Sequence, residues 1–85
     1  MHTSLAMPAP LFYRQDLVRI VHLESDDRDV DSSIDPPRQP RVGEIATIVE
    51  EVAEGIYLVE RCTDDGRPLW TAEFLASELD LVERQ

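Results

Sequence analysis

Apolar and polar residues alternate through the second half of the chain with a period of two. Ile45, Thr47 and Val49 alternate with Ala46, Ile48 and Glu50, and after Glu54-Gly55 the alternation resumes from Ile56 to Cys62. Two such runs joined by a two-residue, glycine-ending turn predict a β-hairpin. Thr63-Asp64-Asp65-Gly66 supplies the next reversal, because Gly66 tolerates positive φ and the aspartates accept hydrogen bonds from nearby backbone donors. Residues 69–74 then read as a third strand of a meander. Upstream, Val18 and Ile20 face one way while Leu17, Val21 and Leu23 face the other, with Arg19 and His22 between them, as in a strongly bent strand. Near the end, Ala76-Ser77-Glu78-Leu79 is too short for a stable helix and reads as a single 3-10 turn before a last short strand at 81–82.

The pattern therefore predicts an all-β domain of five strands, at residues 17–23, 44–52, 56–62, 69–74 and around 81–82. A small five-stranded barrel is expected, because closure hides the edges that a flat sheet exposes. Its expected core is Val18, Ile20, Ala46, Ile48, Tyr57, Val59, Leu69, Leu79 and Val82. Residues 1–13, with two prolines and no sustained period, read as a flexible leader, so the domain spans 14–85. Residues 24–42 form a long acidic and proline-rich first loop. There Ser25-Asp26-Asp27-Arg28-Asp29-Val30-Asp31 is a charged run, and Pro36, Pro37 and Pro40 cannot donate ladder hydrogen bonds. With few apolar anchors beyond Val30 and Ile34, this loop is expected to be flexible and to serve recognition.

Length and charge narrow the function. Eighty-five residues allow one domain and leave much of its surface wet. Eighteen acidic residues against eight basic ones give a net charge of −10, a field that repels phosphate backbones and speeds encounter with a cationic protein surface. The same excess of acid also keeps a small domain soluble. Nucleic acid is not expected as a direct partner. Cys62 is the single cysteine, so no intramolecular disulfide forms. No signal-peptide pattern or membrane-spanning run is present in the sequence, and a cytoplasmic setting without membrane association is expected.

Several stretches resemble a known family. Asp16-Leu17-Val18-Arg19-Ile20, a loop, Gly43-Glu44-Ile45-Ala46-Thr47-Ile48-Val49-Glu50, Tyr57-Leu58-Val59-Glu60 and Asp64-Asp65-Gly66 resemble a bacterial family of short, uncharacterised SH3-like barrel domains. The resemblance covers roughly residues 16–81. It departs where family members carry a second glycine (Ala46 here), an aromatic (Arg61 here) and a shorter first loop. It implies an SH3-like barrel, and a role as an antitoxin or immunity protein, because such genes tend to lie beside toxin-like proteins.

Chemistry-bearing motifs are few. Asp27-x-Asp29-x-Asp31 has the alternating carboxylates of a calcium loop, but Ser32 and Arg38 stand where an EF-hand needs its glycine and its bidentate glutamate. The bland reading is a solvated acidic loop. His2 and His22 have no ligand-spaced neighbours, so no metal or cofactor is expected, and His22 reads as a strand-end residue partly covered by the loop. Cys62 shares a strand face with Ile56 and Leu58 and reads as a small buried hydrophobe. Nothing forms a nucleophile elbow or a distinguishable acid/base pair, so the chain reads as a non-enzyme. Tyr57 and Trp70 are equally a core plug or the floor of an aromatic groove.

These readings give a small acidic protein-binding module that neutralises a basic partner, and the family resemblance implies that it is an antitoxin or immunity protein. Its candidate contact residues are Asp26, Asp27, Asp29, Asp31 and Asp35, with Tyr57 or Trp70 as anchor. The alternative is a structural domain that self-associates or docks on a larger enzyme, and the oligomeric state stays open. An electrostatic contact weakens with salt; a dry assembly interface does not.

Overall fold

The computed structural model describes residues 11–32 and 38–84. In chain order it contains β1 (Leu17–Ile20), β2 (Ile45–Ala53), β3 (Ile56–Cys62), β4 (Pro68–Leu75), a 3-10 turn (Ala76–Glu78) and β5 (Leu79–Glu83). All pairings are antiparallel, and the strands lie in the order β4-β3-β2-β1-β5 in one sheet. No ladder joins β4 to β5, so the sheet is open and the expected barrel closure is not formed by strand pairing. β2 joins the two halves: Ile45 to Thr47 pair with β1, while Thr47 to Ala53 pair with β3 through two register shifts. Bulges of this kind bend a strand and increase its twist. No helix among the described residues is long and apolar enough to cross a membrane.

The two-residue alternation sets the core. Val18 and Ile20, Ala46 and Ile48, Tyr57 and Val59, and Trp70, Ala72 and Phe74 all fall on the inner face and are buried, with Leu79 and Phe12 completing the cluster. Trp70 lies tilted against Phe74 with ring centroids 5.6 Å apart, and Phe12 meets Tyr57 edge-on at 5.2 Å. Gly55 makes the β2–β3 turn with φ +75°, a conformation that costs other L-residues about 1–2 kcal/mol.

Several expectations need correction. β1 ends at Ile20, because the amides of Val21 and His22 turn to the Glu78 carbonyl and leave the ladder. Val82 is exposed, because Leu17 pairs with Glu83 and Val18 with Leu81, which leaves Val82 as the extra residue of a bulge. Leu69 is only half-buried; Trp70, Ala72 and Phe74 supply the β4 core. Cys62 is exposed, since Tyr57 and Val59 define the inner face of β3 and the face shared by Ile56, Leu58 and Cys62 points outward.

The packed unit also starts before residue 14. Phe12 is buried, and the Tyr57 hydroxyl accepts hydrogen bonds from the Leu11 and Phe12 amides at 3.0 and 3.4 Å. Asp16, fully buried, accepts from the Tyr13 amide at 2.8 Å and faces Arg84 at 3.4 Å, tying the last strand to the first turn. Residues 1–10 of the expected leader lie outside the described residues, as do Ile34 and Asp35.

Candidate partner-binding site

Residues 28–32 of the loop that follows β1 run along the outer edge of β4. Asp31 pairs with Thr71 through two backbone hydrogen bonds of 2.9 and 2.8 Å, and the Ser32 hydroxyl donates to the Leu69 carbonyl at 2.6 Å. Arg28 Nη1 donates to the Glu73 carbonyl at 2.8 Å. Carbonyls at 69, 71 and 73 all point away from β3, as alternation requires, and each finds a loop partner. A strand edge left bare invites pairing with another chain, and here the loop covers it.

Arg28 is the main anchor. Its guanidinium lies 4.3 Å from the centroid of Phe74, donates to the Ser25 carbonyl at 3.1 Å, and forks onto Glu78 at 3.2 and 2.5 Å. The side chains are 11% and 2% exposed, so this pair is taken out of water. Glu78 also accepts from the Leu75 amide at 2.8 Å and the Glu24 amide at 2.9 Å. Burial pushes the Glu78 pKa up, but the Arg28 guanidinium and the two amides outweigh it and leave the pKa below the ordinary glutamate value. The Gln39 side chain pairs with both backbone groups of Arg28, at 3.1 and 2.7 Å, and so holds the outgoing limb of the loop against the returning one. At the returning end, Glu44 accepts from Arg38 at 3.1 and 2.6 Å and from the Arg41 amide at 2.7 Å, and it faces Arg61 at 3.0 Å. Its pKa is lowered in the same way, with these donors overcoming desolvation.

The predicted contact residues separate into two groups. Asp26, Asp27, Asp29 and Asp31 are exposed on the loop. Tyr57 and Trp70 are buried at 1% and 0%, so both belong to the core and neither lines a surface groove in this conformation. The described parts of the loop are fastened by polar contacts through Arg28, Asp31, Ser32, Arg38 and Gln39, while Val30, one of the two apolar anchors expected, packs on the core cluster. His22 is exposed and lies 3.3 Å from Glu24 rather than under the loop.

Clefts open on the sheet surface among the described residues. One, of about 400 Å³, lies between residues 28–31 of the loop and the outer face of β3 and β4, with Leu58, Thr71, Ala72 and Glu73 in its wall. Another, of about 340 Å³, lies over β2 and β3 beside Arg14, Gln15, Glu60 and Cys62. In it the Cys62 thiol donates to Glu60 at 3.5 Å, and desolvation and that carboxylate push its pKa up, which favours the inert thiol. Among the described residues, no three His, Cys, Asp or Glu side chains are grouped as around a metal ion.

The Arg28–Glu78 pair, separated by 50 residues, gave no local sequence signal. Leu58 did leave one, as an apolar residue on the outward face of β3. No protein-family model, curated protein or solved structure matches the chain.

Proposed function

We propose that this chain is a cytoplasmic, SH3-like, acidic protein-binding domain that acts without catalysis by engaging a basic partner protein, in the manner of an antitoxin or immunity protein. The SH3-like reading is supported by the order of elements: the first strand pairs with the last, a long loop follows β1, and a single 3-10 turn precedes β5. The observation that carries the functional reading is the division of labour within the loop. Arg28, Ser32, Arg38 and Gln39 anchor it, while the carboxylates of Asp26, Asp27, Asp29 and Asp31 stay at the surface. A pinned loop presents these charges at little ordering cost on binding, which favours affinity as well as encounter rate.

The test is capture of partners from a native lysate by the wild-type chain and by a variant with those four aspartates changed to Asn. The reading predicts a predominantly basic partner that the variant fails to retain. Equal recovery by both forms would sink the acidic-loop reading and favour the assembly alternative.

A further inference from the structure

The cleft between the loop and β4 carries a narrower inference, which rests on the basic-partner reading above. Val30 and Leu58, both partly buried, provide an apolar floor, and Asp29, Asp31 and Glu73 stand around it. All eight basic residues of the chain are arginines. Arg28, the one that lines this cleft, is already engaged by Glu78, the Phe74 ring and two carbonyls. Arg38 and Arg61 pair with Glu44, Arg67 with Asp65, and Arg84 with Asp16. No arginine pairs with Asp29, Asp31 or Glu73 among the described residues, so the groove keeps an uncompensated negative rim over an apolar floor.

That combination selects the occupant. The three carboxylates are not grouped as around a bare metal ion, and a volume of about 400 Å³ holds a side chain with room to spare. An anion is repelled, and a purely apolar side chain leaves the rim unpaired. A lysine or arginine side chain satisfies both parts, since its methylene stem covers apolar surface while its head stays among carboxylates. We infer that the cleft bounded by Asp29, Val30, Asp31, Leu58, Thr71 and Glu73 is a subsite for a single lysine or arginine side chain of the partner protein. Both aromatics being core, this subsite recognises its ligand without an aromatic wall, by an aliphatic floor and a carboxylate rim.

The test titrates the isotope-labelled full chain with N-acetyl-lysine methylamide, N-acetyl-arginine methylamide and the uncharged N-acetyl-norleucine methylamide, reading amide shifts. The expected result is saturable shifts confined to residues 29–31, 58 and 71–73 with the cationic probes and absent with norleucine. The stronger of the two cationic probes identifies the preferred head group. An Asp29→Asn/Glu73→Gln variant, both positions exposed, should weaken binding about fivefold, from two exposed ion pairs at roughly 0.5 kcal/mol each. Shifts that stay linear and spread over remote carboxylates such as Glu50, Glu51 and Asp80 would overturn the subsite. The broader reading has its own arm: an N-acetyl-tetralysine amide that perturbs no loop residue at low salt would defeat the basic-partner proposal itself.

Discussion

Replacing Arg28 by Met keeps an aliphatic stem against Phe74 and removes the charge from a pair whose side chains are 11% and 2% exposed. Removing one member of a buried pair commonly costs about 3–5 kcal/mol, because the other charge is left stranded. Glu78 retains the Leu75 and Glu24 amides as donors, which places the expected cost near the lower end, about 3 kcal/mol. A domain of this size loses about 4–8 °C of Tm per kcal/mol, so the melting temperature should fall by about 12 to 24 °C. Adding Glu78→Gln removes the stranded charge while an amide oxygen still accepts one backbone bond. The double variant should therefore regain at least about 1 kcal/mol over Arg28→Met alone. Chemical denaturation of the wild type, both single variants and the double variant measures the coupling directly. A cost below about 0.5 kcal/mol for Arg28→Met, with no coupling to Glu78, would show a solvated surface pair and refute the anchoring role given to it.

Three further outcomes follow from the same geometry. Ile48, at 1% exposure, should cost about 2–4 kcal/mol when changed to Ala, measured by the same denaturation. Glu78 and Glu44 have pKa values below those of an unfolded glutamate, so their contribution is fully present above about pH 4.5 and is lost as pH falls through their folded values. Stability measured from pH 7 down to 3 should fall below about pH 4.5, and Arg28→Met should flatten that limb; an unchanged limb would remove Glu78 as a cause. Native-state hydrogen exchange should show the Asp31 and Thr71 amides, paired to each other's carbonyls, exchanging more slowly than those of Asp26 and Asp29; equal rates would mean that the edge pairing does not persist in solution.

Strand identity was legible in the sequence because burial here follows the two-residue period closely: Val18/Ile20, Ala46/Ile48 and Tyr57/Val59 lie on the face that the alternation assigned to them. The Glu54-Gly55 turn and the turn before β5 were legible for the same reason, since both are encoded within four residues. Local pattern misleads where long-range contacts override it. Phe12 looked like part of a frayed leader because its partner, Tyr57, is 45 residues away. Val82 looked like core because a bulge cannot be read from alternation alone. Cys62 reads as buried because it shares a face with the apolar Ile56 and Leu58, yet on β3 that face is the outer surface and Leu58 becomes cleft wall. The charged loop looked unanchored since its fastening uses polar side chains, Arg28 and Gln39 above all, rather than the apolar residues that signal packing.

If the loop's exposed carboxylates drive association, salt must slow the encounter. Once a partner is captured, its association and dissociation rates should be measured against the intact chain as ionic strength rises from about 0.01 to 1 M, where the screening length shrinks from roughly 30 to 3 Å. The expected association rate falls steeply with salt while dissociation changes less, and both effects are blunted by changing Asp26, Asp27, Asp29 and Asp31 to Asn. An association rate independent of salt, with the Asn variant indistinguishable from the wild type, would contradict a carboxylate-driven association.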